Sequence, residues 1–78
     1  MAKQVTVYSK PDCMQCKFTK GWLDQNNVAY ESVDVTADEK ALEYVKDELG
    51  YQAVPVVVTD TEHWYGFRPE KLAKLVSD

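Results

Sequence analysis

The sequence predicts an α/β chain of order βαβαββα, a mixed four-stranded sheet flanked by helices. A period-two run of β-favouring residues opens the chain, helical stripes alternate with apolar strands through its middle, and a valine-rich run is joined by a tight turn to an aromatic one. A strand–helix–strand crossover favours parallel pairing in a right-handed unit, whereas the short later connection requires an antiparallel hairpin. Helices on both faces allow valine-rich strands to be buried on both sides. With 78 residues, the chain has room for one domain, residues 1–78, around a single modest core.

The first strand is read over residues 3–9, where Val5 and Val7 alternate with Thr6 and Tyr8. It ends at Ser9-Lys10-Pro11-Asp12, because Pro11 withdraws a backbone donor before a helical pattern begins around Cys13. That helix is expected to run to about Gln25 and to exit through Asn26-Asn27. Residues 28–35 return to strand character through Val28, Tyr30, Val33 and Val35. Thr36-Ala37-Asp38-Glu39 reads as a capping box with Thr36 at the N-cap, and Leu42, Val45 and Leu49 form the inward stripe of a second helix stopped by Gly50. Val54-Pro55-Val56-Val57-Val58 is a short buried strand, turned through residues 59–62 into His63-Trp64-Tyr65. Pro69 then opens a last helix with Leu72, Leu75 and Val76 on its inner face.

Composition narrows the function classes. Thirteen acids against nine bases give a net charge of −4, which argues against nucleic-acid binding because phosphate backbones demand concentrated cations. The charge is segregated: Lys3, Lys10, Lys17 and Lys20 face only Asp12 in the first twenty residues, and acids dominate from Asp24 to Glu62. Ordinary solvated charge is the simpler account of that pattern. No run approaches the roughly 18 apolar residues of a membrane span, so neither a membrane nor a secreted setting is expected. The expectation is a cytoplasmic monomer.

The chemistry lies in Cys13-Met14-Gln15-Cys16, placed between the first strand and the first helix. Two cysteines three apart meet across one helical turn, and the leading one faces unsatisfied helix amides whose partial positive charge favours a thiolate. Cys13 is therefore the expected nucleophile. Lys10 and Lys17 would strengthen that effect and Asp12 would oppose it. Cys16 shares a helical face with Thr19 and Leu23, directed at the sheet, which suits a buried resolving cysteine. The resulting reaction is thiol–disulfide exchange. Cys13 attacks a substrate disulfide, and Cys16 then attacks Cys13 to release reduced product and leave a Cys13–Cys16 disulfide.

Two other uses of the pair fit less well. Zinc normally takes four protein ligands, and there is no second cysteine pair for His63 to complete, so no metal is expected. A purely structural disulfide would close a loop too small to constrain the unfolded chain. His63 itself reads as a solvent-facing hairpin side chain.

Pro55 is the second constellation. After Val54 and ahead of a buried strand, it is either a trans residue at the strand's start or a cis residue that turns the chain. The cis form would leave neighbouring backbone groups free to pair with an extended peptide beside Cys13. Trp64 and Phe67 read either as core at the sheet edge or as an apolar platform for a docking protein. Gly66 would permit the turn out of the hairpin, and Arg68 would hold the loop by carbonyl or carboxylate contacts. Phe18 and Trp22 lie on one helix face away from Cys16, as packing or as a further docking patch.

Three segments taken together resemble a known family: Tyr8-Ser9-Lys10-Pro11-Asp12-Cys13-Met14-Gln15-Cys16, then Val54-Pro55-Val56-Val57, then Trp64-Tyr65-Gly66-Phe67-Arg68-Pro69. Over its whole length the chain is similar to the NrdH redoxins, glutaredoxin-like electron donors of class Ib ribonucleotide reductase. The first two segments are shared across thioredoxin-like proteins. The third looks like the W-S-G-F-R-P segment of NrdH redoxins, where glutathione-using glutaredoxins carry a Gly-Gly-x-Asp type segment. Met14 stands in place of the usual Val of a C-V-Q-C motif, and Tyr65 in place of the usual Ser.

The resemblance implies a thioredoxin-like, glutaredoxin fold and a cis bond before Pro55. It also implies re-reduction by thioredoxin reductase, with NADPH used indirectly and no cofactor bound, and delivery of electrons to the ribonucleotide reductase large subunit. Met14, Gln15, Val54, Pro55, Trp64, Phe67 and Arg68 are the residues expected to meet substrate or partner. The alternatives are a glutathione-dependent glutaredoxin, a general protein-disulfide reductase, and a non-catalytic binding module on the same fold.

Overall fold

A computed structural model describes residues 4–76. The sheet has the order β2-β1-β3-β4, built from β1 (Val5–Ser9), β2 (Glu31–Asp34), β3 (Val56–Thr59) and β4 (His63–Tyr65). The strand β1 pairs parallel to β2, with Thr6 opposite Glu31, and antiparallel to β3, with Val7 opposite Val57. The β3–β4 hairpin is also antiparallel, with Val57 opposite Trp64. The order of elements is the one expected. Lys3, at the expected start of the first strand, lies outside the described residues.

Period-two geometry divides the valines between two cores. Val5, Val7 and Val57 point to one face, where they pack with Leu23 of α1 (Met14–Gln25), Trp64, and Leu72 of α3 (Pro69–Leu72). Val56 points to the other face, with Val35, Ala41 and Val45 and the flanking Tyr8, Val33 and Val58. The sheet is thereby covered on both sides, and the C-terminal end of β1 is left facing the start of α1, where the cysteines lie.

Helix α1 leaves by the expected asparagines. Asn27 adopts φ +57, its amide donates to Asp24 O at 3.2 Å, and the Val28 amide donates to Leu23 O at 2.9 Å. These are the paired bonds of a Schellman closure. They also hold Val28 in the turn, so β2 begins at Glu31 and not at residue 28.

The second helix departs from expectation at its start and along its stripe. Thr36 is not the N-cap: the Asp34 carboxylate accepts from both the Thr36 amide, at 2.8 Å, and the Thr36 hydroxyl, at 2.6 Å. That local turn captures Thr36, and Asp38 caps α2 (Glu39–Glu43) instead, accepting from the Ala41 amide at 3.1 Å. After Glu43 the helix widens into a π turn over Tyr44–Glu48, marked by Leu49 N donating to Tyr44 O at 3.1 Å. The later cap and the wider turn place Ala41, Val45 and Leu49 inward and leave Leu42 exposed. Gly50, at φ +80, ends the element in the left-handed region that its missing side chain makes accessible.

Strand β3 starts at Val56, two residues later than expected, because the Val54–Pro55 peptide bond is cis and turns Val54 out of the ladder. Pro69 stands at the first turn of α3, as expected. A tighter 3-10 turn over Ala73–Leu75 follows, keeping Leu72 and Leu75 on the inner side. At three residues per turn Val76 falls off that side and is exposed, contrary to the expected stripe. Among the described residues no helix is long and apolar enough to cross a membrane.

Candidate redox site

The loop leaving β1 turns through Asp12, held at φ +59, and delivers Cys13 to the N-cap of α1 with extended backbone at φ −107 and ψ 108. At an N-cap the first helical amides lack partners of their own. The Cys13 Sγ answers one of them by accepting from the Cys16 amide at 3.2 Å. A sulfur in that position sits in the positive field of the helix start, which favours its anionic form once reduced.

Cys13 and Cys16 are joined as a disulfide, with their Cα atoms 5.2 Å apart. Their environments differ: Cys13 is 8% exposed and Cys16 2%, and Cys16 shares its inward face with the fully buried Thr19 and Leu23. Thr19 is satisfied within the helix, its hydroxyl donating to Gln15 O at 2.9 Å, which allows a polar side chain to sit under the disulfide.

Val54 lies against the first sulfur, with its carbonyl oxygen 3.9 Å from Cys13 Sγ. A disulfide sulfur carries no hydrogen, so in this state the approach is a contact. Pro55, fully buried, fixes the bend, and its carbonyl accepts from the Gly66 amide at 2.8 Å. The β3 ladder thus begins beyond Val54, and neither the amide nor the carbonyl of Val54 has a backbone partner among the described residues.

The segment from Trp64 to Pro69 divides its labour. Trp64 is 4% exposed and belongs to the core beneath the sheet, with an indole Nε1 that has no partner among the described residues. Phe67 is half-buried, with its ring centroid 6.0 Å from that of Phe18. Together with Trp22 and Lys17 these two rings line a surface cavity of about 390 Å³. The Arg68 Nε donates to Tyr65 O at 3.1 Å, and its Nη1 lies 3.8 Å from the Glu70 carboxylate, so the guanidinium folds back on its own loop. Gly66 takes φ +88, and a side chain there would meet Gln15 Oε1 at 3.4 Å.

Of the residues singled out in the sequence, Cys13, Cys16, Gln15, Val54, Pro55 and Phe67 come together at one end of the sheet. Met14 is exposed beside them. Trp64 stands apart, inside the protein. Sequence reasoning missed the aromatic group behind the Val54 loop: Tyr51 stacks on Tyr65 at 6.2 Å, and its hydroxyl lies 2.9 Å from Nδ1 of the exposed His63. The alternation of His63 and Tyr65 about a buried Trp64 was the available signal, since it puts both on the outer face of β4.

Electrostatic perturbations lie away from the disulfide. Hydrogen bonds from the Thr36 hydroxyl and amide hold the Asp34 carboxyl below the usual aspartate range. Burial, with smaller contributions from Tyr44, Glu31 and Asp38, pushes the Tyr8 hydroxyl up. Tyr30 is likewise raised, first by burial and then by Asp24.

Comparison with known proteins agrees with this geometry. The glutaredoxin family profile matches residues 5–64. The glutaredoxin-like protein NrdH of Lactococcus lactis subsp. lactis (strain IL1403) is 44% identical over 71 residues, 91% of this chain and 97% of that protein. NrdH of Escherichia coli (strain K12) is 31% identical over 72 residues, 92% of this chain and 88% of the relative. The solved structure of the glutaredoxin-like NrdH-redoxin from Escherichia coli superposes with a TM-score of 0.90 at 29% identity, covering 96% of this chain and 97% of that one. The four-stranded sheet and three helices are those of the thioredoxin/glutaredoxin fold. With its Cys13–Cys16 pair at the start of α1 and this likeness along nearly its whole length, the chain belongs to the glutaredoxin family, among the glutaredoxin-like NrdH proteins.

Proposed function

We propose that the protein is a dithiol–disulfide electron donor to the large subunit of class Ib ribonucleotide reductase, re-reduced by thioredoxin reductase with electrons from NADPH. The observation that carries this reading is the asymmetric disulfide, with Cys13 at the helix N-cap and Cys16 behind it. In the reduced protein the Cys13 thiolate attacks a substrate sulfur, forming a mixed disulfide and expelling the first substrate thiolate. Cys16, deprotonated in turn, attacks Cys13 Sγ and expels the second. Two electrons pass to the substrate, which leaves as a dithiol, and the protein returns to its Cys13–Cys16 disulfide.

Val54 supplies the binding element in this reading. Its amide and carbonyl, which have no backbone partner among the described residues, flank the bend beside Cys13 and offer an extended peptide main-chain hydrogen bonds without regard to sequence. Met14 and Phe67 are the exposed and half-exposed apolar groups that would meet the partner, and Gln15 and Arg68 shape the loop beneath it. Trp64 supports that surface from within. No cofactor is bound by the chain, NADPH acting through the reductase. A cytoplasmic monomer suits a carrier that cycles between two larger proteins in a reducing compartment.

The rival reductant is glutathione, and the match to the glutaredoxin profile favours testing it directly. The relative from Escherichia coli is described as having a thioredoxin-like activity profile, which supports the flavoprotein route. Oxidised protein incubated with NADPH and thioredoxin reductase should reduce insulin disulfides at a steady rate, and glutathione with its reductase should not sustain turnover. Turnover with glutathione alone would reassign the reductant, and failure in both systems by a folded protein would leave a binding module.

A further inference from the structure

Three sulfur atoms lie among the described residues, and the disulfide ties up two of them. Cys13 is 8% exposed and Cys16 2%, whereas Met14, enclosed between them in sequence, is 64% exposed, the highest value among the large apolar side chains described. Met14 is the first residue of α1, and Phe18 stands four residues on, 54% exposed on the same helix face. The Phe18 ring leads in turn to Phe67, with centroids 6.0 Å apart. An apolar strip thus runs from between the cysteines to the loop after β4, and it begins at a thioether. Where the usual Val of a C-V-Q-C motif would present only carbon, Met14 presents a sulfur that can be oxidised.

We propose that Met14 is a site of oxidation by hydroperoxides, spared while the cysteine pair is reduced and attacked once the disulfide has formed, and that its sulfoxide weakens docking of protein partners on this face. In the reduced protein the Cys13 thiolate at the helix N-cap is the better nucleophile toward peroxide. It takes one peroxide oxygen as a sulfenic acid and releases hydroxide, and Cys16 then displaces that oxygen as water to close the disulfide. Two electrons leave the dithiol, and no thiolate remains. A lone pair of the Met14 sulfur attacks the next peroxide: the S–O bond forms as the O–O bond breaks, the sulfur gives up two electrons, and the departing hydroxide takes up a proton as water. The product is a polar sulfoxide set in the apolar strip. The disulfide form accumulates when its reductant fails, so the modification marks that failure on the face that meets the reductase. Methionine sulfoxide reductases, one for each epimer, restore the thioether. The effect on docking rests on the electron-donor reading, whereas the order in which the sulfurs react does not.

The test treats both redox forms with hydrogen peroxide and maps the added oxygen by peptide mass spectrometry, which separates Met14 from Met1. Reduced protein given an equimolar amount should lose its thiols to the disulfide with at most about a tenth of Met14 oxidised. The disulfide form given excess peroxide should gain oxygen at Met14 within about threefold of the rate for methionine in an unstructured peptide, as its exposure requires. With NADPH and thioredoxin reductase, the sulfoxide form should show a KM about fivefold higher, the size expected for a polar group set in an apolar contact. Methionine sulfoxide reductases, followed by re-formation of the disulfide, should restore the original KM. Reduction of the disulfide by dithiothreitol, too small to use the strip, should keep its rate. Peroxide-treated Met14→Leu should match its own untreated form. Oxidation of Met14 in step with the thiols of the reduced protein, a Met14 rate more than about tenfold below the peptide's, or an unchanged KM would overturn the proposal, as would an equal KM shift in treated Met14→Leu. No turnover of the untreated protein by the reductase would sink the electron-donor reading instead, and the order in which the sulfurs react with peroxide would still decide the site.

Discussion

The side chain of Gln15 accepts a hydrogen bond from the Phe67 amide, Oε1 to N at 3.2 Å, across 52 residues of sequence. One of the two residues enclosed by the cysteines is therefore bound to the loop that follows β4. Gly66, immediately before Phe67, approaches the same oxygen closely enough that a side chain would crowd it. The disulfide and the Trp64–Pro69 segment are thus held as one surface by a contact that needs an amide at position 15 and a glycine at position 66.

Gln15→Ala removes the acceptor and leaves the Phe67 amide to water, so the loss of stability should be about 1 kcal/mol. Gly66→Ala should cost more, about 1–2 kcal/mol, because it adds backbone strain at φ +88 to the contact with Gln15. Urea denaturation of the oxidised proteins measures both. An alanine at position 66 as stable as the glycine would show that the loop relaxes freely away from Gln15.

The unequal burial of the two sulfurs predicts unequal trapping. Cys16→Ser should accumulate a mixed disulfide through Cys13, because attack proceeds and resolution cannot. Cys13→Ser should accumulate little, since the remaining cysteine, Cys16, is 2% exposed on the inward face of the helix start. Mass spectrometry after reaction with a peptide disulfide reads the two outcomes. Trapping through Cys16 and not Cys13 would reverse the assigned roles.

The cap of the second helix offers a sharp contrast between neighbours. Asp38→Ala removes the acceptor for the Ala41 amide and should destabilise the protein by about 1 kcal/mol. Thr36→Ala leaves that cap intact and removes only the hydroxyl bond to Asp34, so its effect should be within about 0.5 kcal/mol. Thermal unfolding of the two variants decides it. A larger loss at Thr36 would restore the capping box that the sequence suggests.

That contrast also marks how far the sequence could be read. Period-two alternation at Val5 and Val7, the C-x-x-C spacing and the proline before a valine run are local signals, and they located the sheet, the reactive pair and the bend beside it. The cap was misread because Thr36 and Asp38 are both competent N-cap residues, and the choice turned on Asp34, two residues upstream, capturing Thr36 first. Leu42 was misread because a π turn changes the angular spacing of a stripe without leaving a mark in composition. Trp64 was ambiguous between core and surface, since an aromatic at a sheet edge suits both, and only the packing of α1 and α3 over β4 resolves it. The contact of Gln15 with Phe67 and the stacking of Tyr51 on Tyr65 are tertiary, and no pattern within either segment announces them.

Core packing gives a further measure. Leu23 is fully buried; it lies at 0% exposure packed with Val5, Val7, Val57 and Leu72, about two helical turns beyond Cys16. Leu23→Ala should cost about 2–5 kcal/mol by lost burial and the cavity left behind. In a chain of this size that is a large share of total stability, so urea denaturation should show either a much lower midpoint or no folded baseline. A loss below about 1 kcal/mol would mean that α1 can close on the sheet, and the redox site would then rest on a softer base than its packing indicates.

Asp34 carries the pH dependence. Its carboxylate accepts from the Thr36 hydroxyl and amide, and these bonds favour the ionised form, setting its folded value below the unfolded one. A depressed carboxyl contributes stability that is fully present above the unfolded value and is lost as pH falls through the folded value. The expected result is an Asp34 side-chain carbon, followed by NMR, that titrates below the ordinary aspartate range, with the turn at Thr36 loosening over the same interval. Thr36→Val keeps the backbone bond but removes the hydroxyl, the larger of the two causes, so the Asp34 midpoint should move up toward its ordinary value. A midpoint at or above the ordinary value in the unaltered protein would mean that this turn is not held by its charge.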